Sequence, residues 1–265
     1  MLPLEGYRAL VTGASAGIGL ASAQALAALG ASVMISARTQ ATLESACTAL
    51  PTPSPAQTHR WLLLDMADPS VAEKLLDAEL LTGTLGDPIS ILINNSGGPA
   101  PGAVHAAKPS DFLSTFQQQL LGAHALVQQL LPGMRERGFG RIVNVISTSV
   151  KEPLKDLGVS NTVRAAVASW AKTLAGEVGG YGITVNNVLP GYTRTARLEQ
   201  IIASRMQKLS KTRLEVEQAM LADVPANRFA EPEEVAAAIA FLSSPQAGYI
   251  NGINLPVDGG RTRSL

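Results

Sequence analysis

Charge is scarce in this chain and evenly balanced. Of its 265 residues 16% are charged, with Lys+Arg 21 against Asp+Glu 21 and a net charge of +0. That balance leaves no electrostatic footprint for nucleic acid or for an anionic membrane. Cysteine is rarer still. Cys47 stands alone, so no intramolecular disulfide can form, which fits a reducing compartment. It falls in a helix-like run and reads as a small apolar filler. The three histidines, His59, His105 and His124, have no metal-ligand spacing with one another or with Cys47, so no metal site is expected. Residues 9–37 carry no charge at all. Gly, Ser, Thr and Ala break that run into short pieces, and no apolar stretch is long enough to cross a bilayer or to act as a signal sequence. The expected location is the cytoplasm.

What the chain does have is 46% hydrophobic residues in alternating strand-like and helix-like runs. Strands are expected at 7–12, 32–37, 60–64, 89–94, 141–147, 183–188 and 253–257, and most are apolar on both faces. Helices are expected at 17–29, 40–50, 69–81, 109–135, 160–178, 196–222 and 232–243. Strands apolar on both faces suit a parallel sheet covered by helices on each side, so the α/β class expected is a doubly wound sheet of about seven strands. No repeat or linker divides the chain, and residues 1–265 read as one domain. The segment 196–222 interrupts the βα rhythm. It is either a surface helix pair or a flap over a site, with Leu198, Ile201, Ile202, Met206 and Met220 apolar enough to cover a small organic molecule.

The densest signal is Thr12-Gly13-Ala14-Ser15-Ala16-Gly17-Ile18-Gly19, between a strand-like and a helix-like run. Glycines there let backbone approach a bound group, and the helix that follows presents free N–H groups and a positive dipole end. Such a turn seats a phosphate or pyrophosphate. It lacks the Gly-Lys-Ser/Thr ending of nucleotide triphosphatases. In an open parallel sheet the ligand lies beyond the carboxyl ends of the strands. Arg38 follows the second strand, where an acidic residue would accept from a free ribose 2′-hydroxyl. Arginine instead suits a 2′-phosphate, so NADP(H) is preferred and NAD(H) is the second choice. Asp65-Met66 suits an adenine amino group and face. Asn94-Asn95-Ser96-Gly97-Gly98, Ser147 and Pro190-Gly191-Tyr192-Thr193-Arg194-Thr195 end the next three strands.

Taken in order and spacing, these elements resemble the classical short-chain dehydrogenases/reductases over nearly the whole chain. The matching pieces are Thr12-Gly-x-x-x-Gly-x-Gly19, Asp65, Asn94-Asn95-Ser96-Gly97, Gly140-Arg-Ile-Val-Asn-Val, Ser147, Tyr181-Gly-Ile-Thr-Val-Asn186, Pro190-Gly191 with Thr195, and Val257-Asp258-Gly259-Gly260. The texture is similar to the branch of 3-oxoacyl-carrier-protein reductases. The resemblance implies a Rossmann-like fold, an oxidoreductase interconverting a carbonyl and an alcohol, and a homodimer or homotetramer. It implies cofactor contacts at Gly13, Ser15, Gly17, Ile18, Gly19, Arg38, Asp65, Met66, Asn95, Gly97, Pro190, Gly191, Thr193 and Thr195.

The catalytic centre departs from the family pattern. The family's Tyr-x-x-x-Lys pair falls here on Ser160 and Arg164, and its asparagine on Gln119. Hydride delivery to a carbonyl needs a proton donor at the developing alkoxide. Serine is a far weaker acid than a tyrosine phenol, and arginine stays protonated, so neither relays a proton as the family pair does. Arginine can still bind a nicotinamide ribose. The resemblance therefore leaves Ser147 to orient the carbonyl, Arg164 the ribose, and Gln119 or Ser160 a water or the substrate. Lys151 or Lys155, in the loop leading from Ser147 to that helix, is a candidate proton source. The rival expectation is an NADP(H)-binding sensor or partner subunit without reductase activity.

Overall fold

The computed structural model describes residues 2–70, 73 and 88–264. Seven strands form one parallel sheet in the order β3-β2-β1-β4-β5-β6-β7. They are β1 (Arg8–Thr12), β2 (Ser32–Ala37), β3 (Arg60–Leu63), β4 (Ile91–Asn94), β5 (Gly140–Val145), β6 (Ile183–Pro190) and β7 (Asn254–Val257). The order reverses between β1 and β4, which opens a crevice at their carboxyl ends. The helices described are α1 (Gly17–Ala28), α2 (Gln40–Thr48), α3 (Pro109–Phe116), α4 (Gly122–Arg137), α5 (Gly158–Val178), α6 (Ala196–Leu209), α7 (Arg213–Leu221) and α8 (Pro232–Leu242). The sheet is thus the doubly wound, Rossmann-like α/β architecture expected. The helix expected over 69–81 lies outside the described residues, apart from its first residues and Ser70's turn.

Strand periodicity explains both covered faces. Ala9 and Val11 join a cluster with Leu26 of α1 and Val235 and Ile239 of α8. Leu10 points to the opposite face, among Leu126 and Leu130 of α4 and Leu174 of α5. Each fully buried Leu or Ile contributes about 1.5–3 kcal/mol, so the sheet is held from both sides.

Three boundaries differ from expectation, each for a local reason. The strand expected to reach residue 147 ends at Val145, because Ser147 turns to cap the short turn Thr148–Val150 with its Oγ accepting from the Ser149 N–H at 3.1 Å. The helix expected over 109–135 is three pieces, with a π-helical turn at Gln117–Leu121 between α3 and α4. Such turns carry i→i+5 bonds and recur at functional sites. The segment 196–222 is two helices. Ser210 takes the left-handed conformation (φ 52°), and Thr212 opens α7 through a capping box with Glu215.

One polar row crosses the apolar sheet. Asn94, Asn144, Asn187 and Asn254 are register partners on β4, β5, β6 and β7. Asn94 Nδ2 donates to Asn144 Oδ1 at 2.9 Å, Asn144 Nδ2 to Asn187 Oδ1 at 2.9 Å, and Asn187 Nδ2 to Asn254 Oδ1 at 2.8 Å. A one-residue slip of any strand would bury these amides unpaired.

Candidate active site

The crevice is built on the turn after β1. Thr12 Oγ1 donates to the Asn95 carbonyl at 2.8 Å and accepts from the Asn95 N–H at 2.9 Å. The Asn95 side chain returns a bond to the Gly13 carbonyl at 3.0 Å. This stitches the ends of β1 and β4 so closely that a Cβ on Gly13, whose φ is +58°, would stand 2.6 Å from the Asn95 oxygen. A Cβ on Gly19 would drive into the Gly13 carbonyl oxygen. Above this turn α1 begins at Gly17 with no side-chain cap and no acidic residue in its first turn. Its first N–H groups are therefore left for an external acceptor.

A cavity of about 770 Å³ opens beside the turn. Of the residues singled out from sequence, it brings together Gly13, Gly17, Ile18, Asn95, Gly97, Ser147, Ser160, Arg164, Pro190, Gly191, Thr193 and Thr195. Six others stand outside its lining. Ser15 and Gly19 shape the turn, and Arg38 is exposed at the end of β2. Asp65 is half-buried and caps its own loop, accepting from the Ala67 N–H at 3.0 Å. Met66 is buried in the core beneath α4. Gln119 sits behind the cavity wall, where its Nε2 donates to the Gly97 carbonyl at 3.0 Å. Lys155 is on the cavity and Lys151 is not. His105 is exposed and away from it, while Trp170 packs between two core clusters edge-on to His124.

Two of the hydroxyls on the cavity belong to the candidate catalytic residues. Ser147 Oγ accepts from the Ser149 N–H, and its own hydrogen makes no bond among the described residues, so it can serve a ligand oxygen. Ser160, one turn before Arg164 on α5, presents the second. Arg164 is 9% exposed, and its guanidinium donates to the carbonyls of Val145 and Ser96. Burial, then the nearby charge of Arg197, pushes its pKa down to about 10. It remains a cation at neutral pH, with no carboxylate bonded to it among the described residues. Arg164 Nε, Gln119 Oε1 and Asn94 Oδ1 are buried without partners among the described residues, and all three residues line a second cavity of about 10 Å³. One donor and two acceptors in that space match the bonding of a single water.

Sequence reasoning missed Arg197, Arg205 and Arg261, which also line the large cavity. Arg197 Nη2 donates to the Pro99 carbonyl at 2.6 Å, and burial lowers its pKa. Arg197 stands two residues after the Pro190–Thr195 turn, which was the signal available. Tyr192, noted for its place in that turn, does reach the cavity.

A family model described as enoyl-(acyl carrier protein) reductase matches residues 13–262. The chain is 34% identical over 259 residues to the 3-oxoacyl-[acyl-carrier-protein] reductase FabG of Vibrio cholerae, covering 97% of this chain and 98% of that one. It belongs to the short-chain dehydrogenases/reductases. This short-chain dehydrogenase/reductase is also 31% identical to the NADPH-dependent reductase BacG of Bacillus subtilis, over 97% of this chain and 98% of the relative. Among solved structures, L-sorbose reductase from Gluconobacter frateurii, complexed with NADPH and L-sorbose, superposes with a TM-score of 0.90 at 29% identity. That match covers 100% of this chain and 99% of the other. YwfH, an NADPH-dependent reductase involved in bacilysin biosynthesis, gives 0.90 at 29% identity over 98% and 99%. Membership makes the chain an NAD(P)-dependent oxidoreductase by family. No helix among the described residues is long and apolar enough to cross a membrane, and no three His, Cys, Asp or Glu among them cluster as metal ligands.

Proposed function

We propose that this chain is an NADP(H)-dependent reductase interconverting a carbonyl and an alcohol through an atypical catalytic centre. The observation that carries the reading is the convergence of the glycine turn, Ser147 and Arg164 on one cavity. The turn fits a dinucleotide, because a Cβ at Gly13 or Gly19 would close it and the start of α1 is uncapped. Gly13, Ser15, Gly17, Ile18 and Gly19 would hold the pyrophosphate. Arg38 would pair with a 2′-phosphate, which is what favours NADP(H) over NAD(H), and the naming of BacG and of the L-sorbose reductase complex supports the same choice. Asp65 would take the adenine amino group, with Met66 packed beneath. Asn95, Gly97, Pro190, Gly191, Thr193 and Thr195 would line the nicotinamide half, with Arg164 on its ribose. When bound, the cofactor supplies or accepts the hydride.

The protein's own groups do the rest. Ser147 donates its free hydroxyl hydrogen to the carbonyl oxygen and orients it. Arg164 keeps a fixed positive charge near the reacting end, which favours a developing oxyanion. Ser160 positions substrate or water, and Gln119 acts from behind by holding the Gly97 carbonyl. With Ser160 in place of the family's tyrosine on α5, the proton falls to Lys155, which reaches the cavity, directly or through water. α6 covers the substrate end, with Leu198 and Ile201 on the cavity, and α7 packs against α6 through Val216 and Met220. The exposed Leu113 and Leu121 near the π-helical turn support a homodimer or homotetramer. Cytoplasmic location and a single domain complete the reading.

Calorimetry with NADPH and NADH, followed by NADPH oxidation over a carbonyl panel, tests it. NADPH binding with turnover is the expected result. NADPH binding without turnover on any carbonyl would select the second reading, a sensor or partner subunit, which the replacement of both Tyr and Lys favours. No binding of either cofactor would remove both.

A further inference from the structure

The chain as a whole is neutral, but its large cavity is not. Lys155, Arg164, Arg197, Arg205, Lys208 and Arg261 line it, against Asp156 as the one acid. Asp156 is already engaged, bonded to Lys208 at 2.9 Å, and it is held below the usual carboxylate range by that bond and by Lys155 and Arg205. Arg164 and Arg197 donate to carbonyl oxygens, and the Arg164 Nε faces the small cavity rather than this one.

Arg205 and Arg261 remain. Arg261 lies 4.9 Å and Arg205 6.0 Å from the centre of the Tyr192 ring. Arg261 Nη1 reaches Thr148 Oγ1 at 3.4 Å, and Thr148 adjoins Ser147. Its Nε is buried with no partner. Neither arginine has an ion pair among the described residues. Two guanidinium groups gathered on one aromatic ring repel each other unless an anion joins them. Their contacts run to Tyr192, Thr148 and Asp156, and none reaches the glycine turn at residues 13–19, so the phosphates seated there do not neutralise them.

We propose that Arg205 and Arg261, held on Tyr192, form an anion subsite, and that the substrate of this chain is a carbonyl compound bearing a carboxylate or a phosphate. The inference rests on the reductase reading of the same cavity and names its substrate class. A planar guanidinium fork pairs with either oxyanion through two parallel bonds. The subsite lies beside Ser147, so anion and carbonyl of one small molecule are held together, which fixes the face presented to the cofactor.

The test measures binding to the NADP⁺-saturated protein, with matched probes. Acetoacetate is compared with methyl acetoacetate, and dihydroxyacetone phosphate with dihydroxyacetone, by calorimetry. At least one anion is expected to bind about tenfold or more tighter than its neutral partner. The pair that discriminates identifies carboxylate or phosphate. Arg205→Met and Arg261→Met should each erase that preference, with the NADPH dissociation constant unchanged. Arg205→Lys, which keeps the charge and loses the fork, should fall between. Equal affinity for both members of both pairs would overturn the proposal without any variant. So would variants that weaken NADPH and the anion together, since the cations would then serve the cofactor. NADPH oxidation on the same pairs tests the reductase reading separately. Selective anion binding without oxidation would keep the subsite and remove the reductase.

Discussion

Replacing Arg164 with methionine separates what this side chain does for the fold from what it does for a ligand. Burial pushes its pKa down to about 10, and each tenfold change in acidity is worth ~1.4 kcal/mol, so keeping the cation in this place costs the fold about 3 kcal/mol. The sign is fixed by the direction. A base whose pKa is depressed on folding is charged in both states at neutral pH, so the whole cost is present there and is relieved only as the pH rises past about 10. Against it stand the bonds to the Val145 and Ser96 carbonyls, charged hydrogen bonds of about 1.5–3 kcal/mol each at best. Methionine removes the cost and the bonds together and refills most of the volume. The terms nearly cancel, so urea unfolding of the Arg164→Met protein should show stability within about 2 kcal/mol of the parent. Calorimetry on the same sample should show NADPH binding weakened about tenfold or more. The reasoning is refuted if the variant loses well over 2 kcal/mol while its NADPH affinity holds, because Arg164 would then be a structural strut.

Four further outcomes can be checked. Ser160→Tyr with Arg164→Lys puts a phenol and an ammonium one helical turn apart on the cavity wall, and kcat on an accepted carbonyl should rise by about 10²-fold or more. Ser147→Ala should lower kcat by about 10²-fold, since the hydroxyl hydrogen proposed to hold the carbonyl oxygen is lost. Gly19→Ala forces a Cβ against the Gly13 carbonyl, and NADPH binding should disappear in calorimetry while circular dichroism still reports a folded α/β protein. A high-resolution crystal structure should show one water bonded to Arg164 Nε, Gln119 Oε1 and Asn94 Oδ1.

The sheet was legible because its strands are buried on both faces, so apolar runs such as Ile91–Ile93 stand out from the amphipathic helices between them. Local turn chemistry was less legible. The division of 196–222 falls at the Thr212 capping box with Glu215, and the expected helix ran through it undivided. The π-helical turn at Gln117–Leu121 was not legible, since Gln and Leu have no preference that distinguishes it from ordinary helix. Backbone seats of the candidate site, Gly13 to Gly19 and Pro190–Gly191, are contiguous in the chain and could be read from spacing. The Tyr192, Arg205 and Arg261 cluster could not. Its members sit on a loop, a helix and a C-terminal segment, and only tertiary packing brings them to one ring.

The asparagine row that crosses β4 to β7 has a polarity as well as a register. Every NH₂ group points toward β7 and every carbonyl back toward β4. Four amide dipoles aligned head to tail reinforce one another, and their negative end emerges at Asn94 Oδ1. That oxygen opens on the small cavity that Arg164 lines. The sheet thereby supplies the buried guanidinium with a partial counter-charge made of neutral groups, one that no change of pH can protonate away. A leucine at Asn187 would cut this array in the middle, far from any ligand, and the effect would be felt at Arg164.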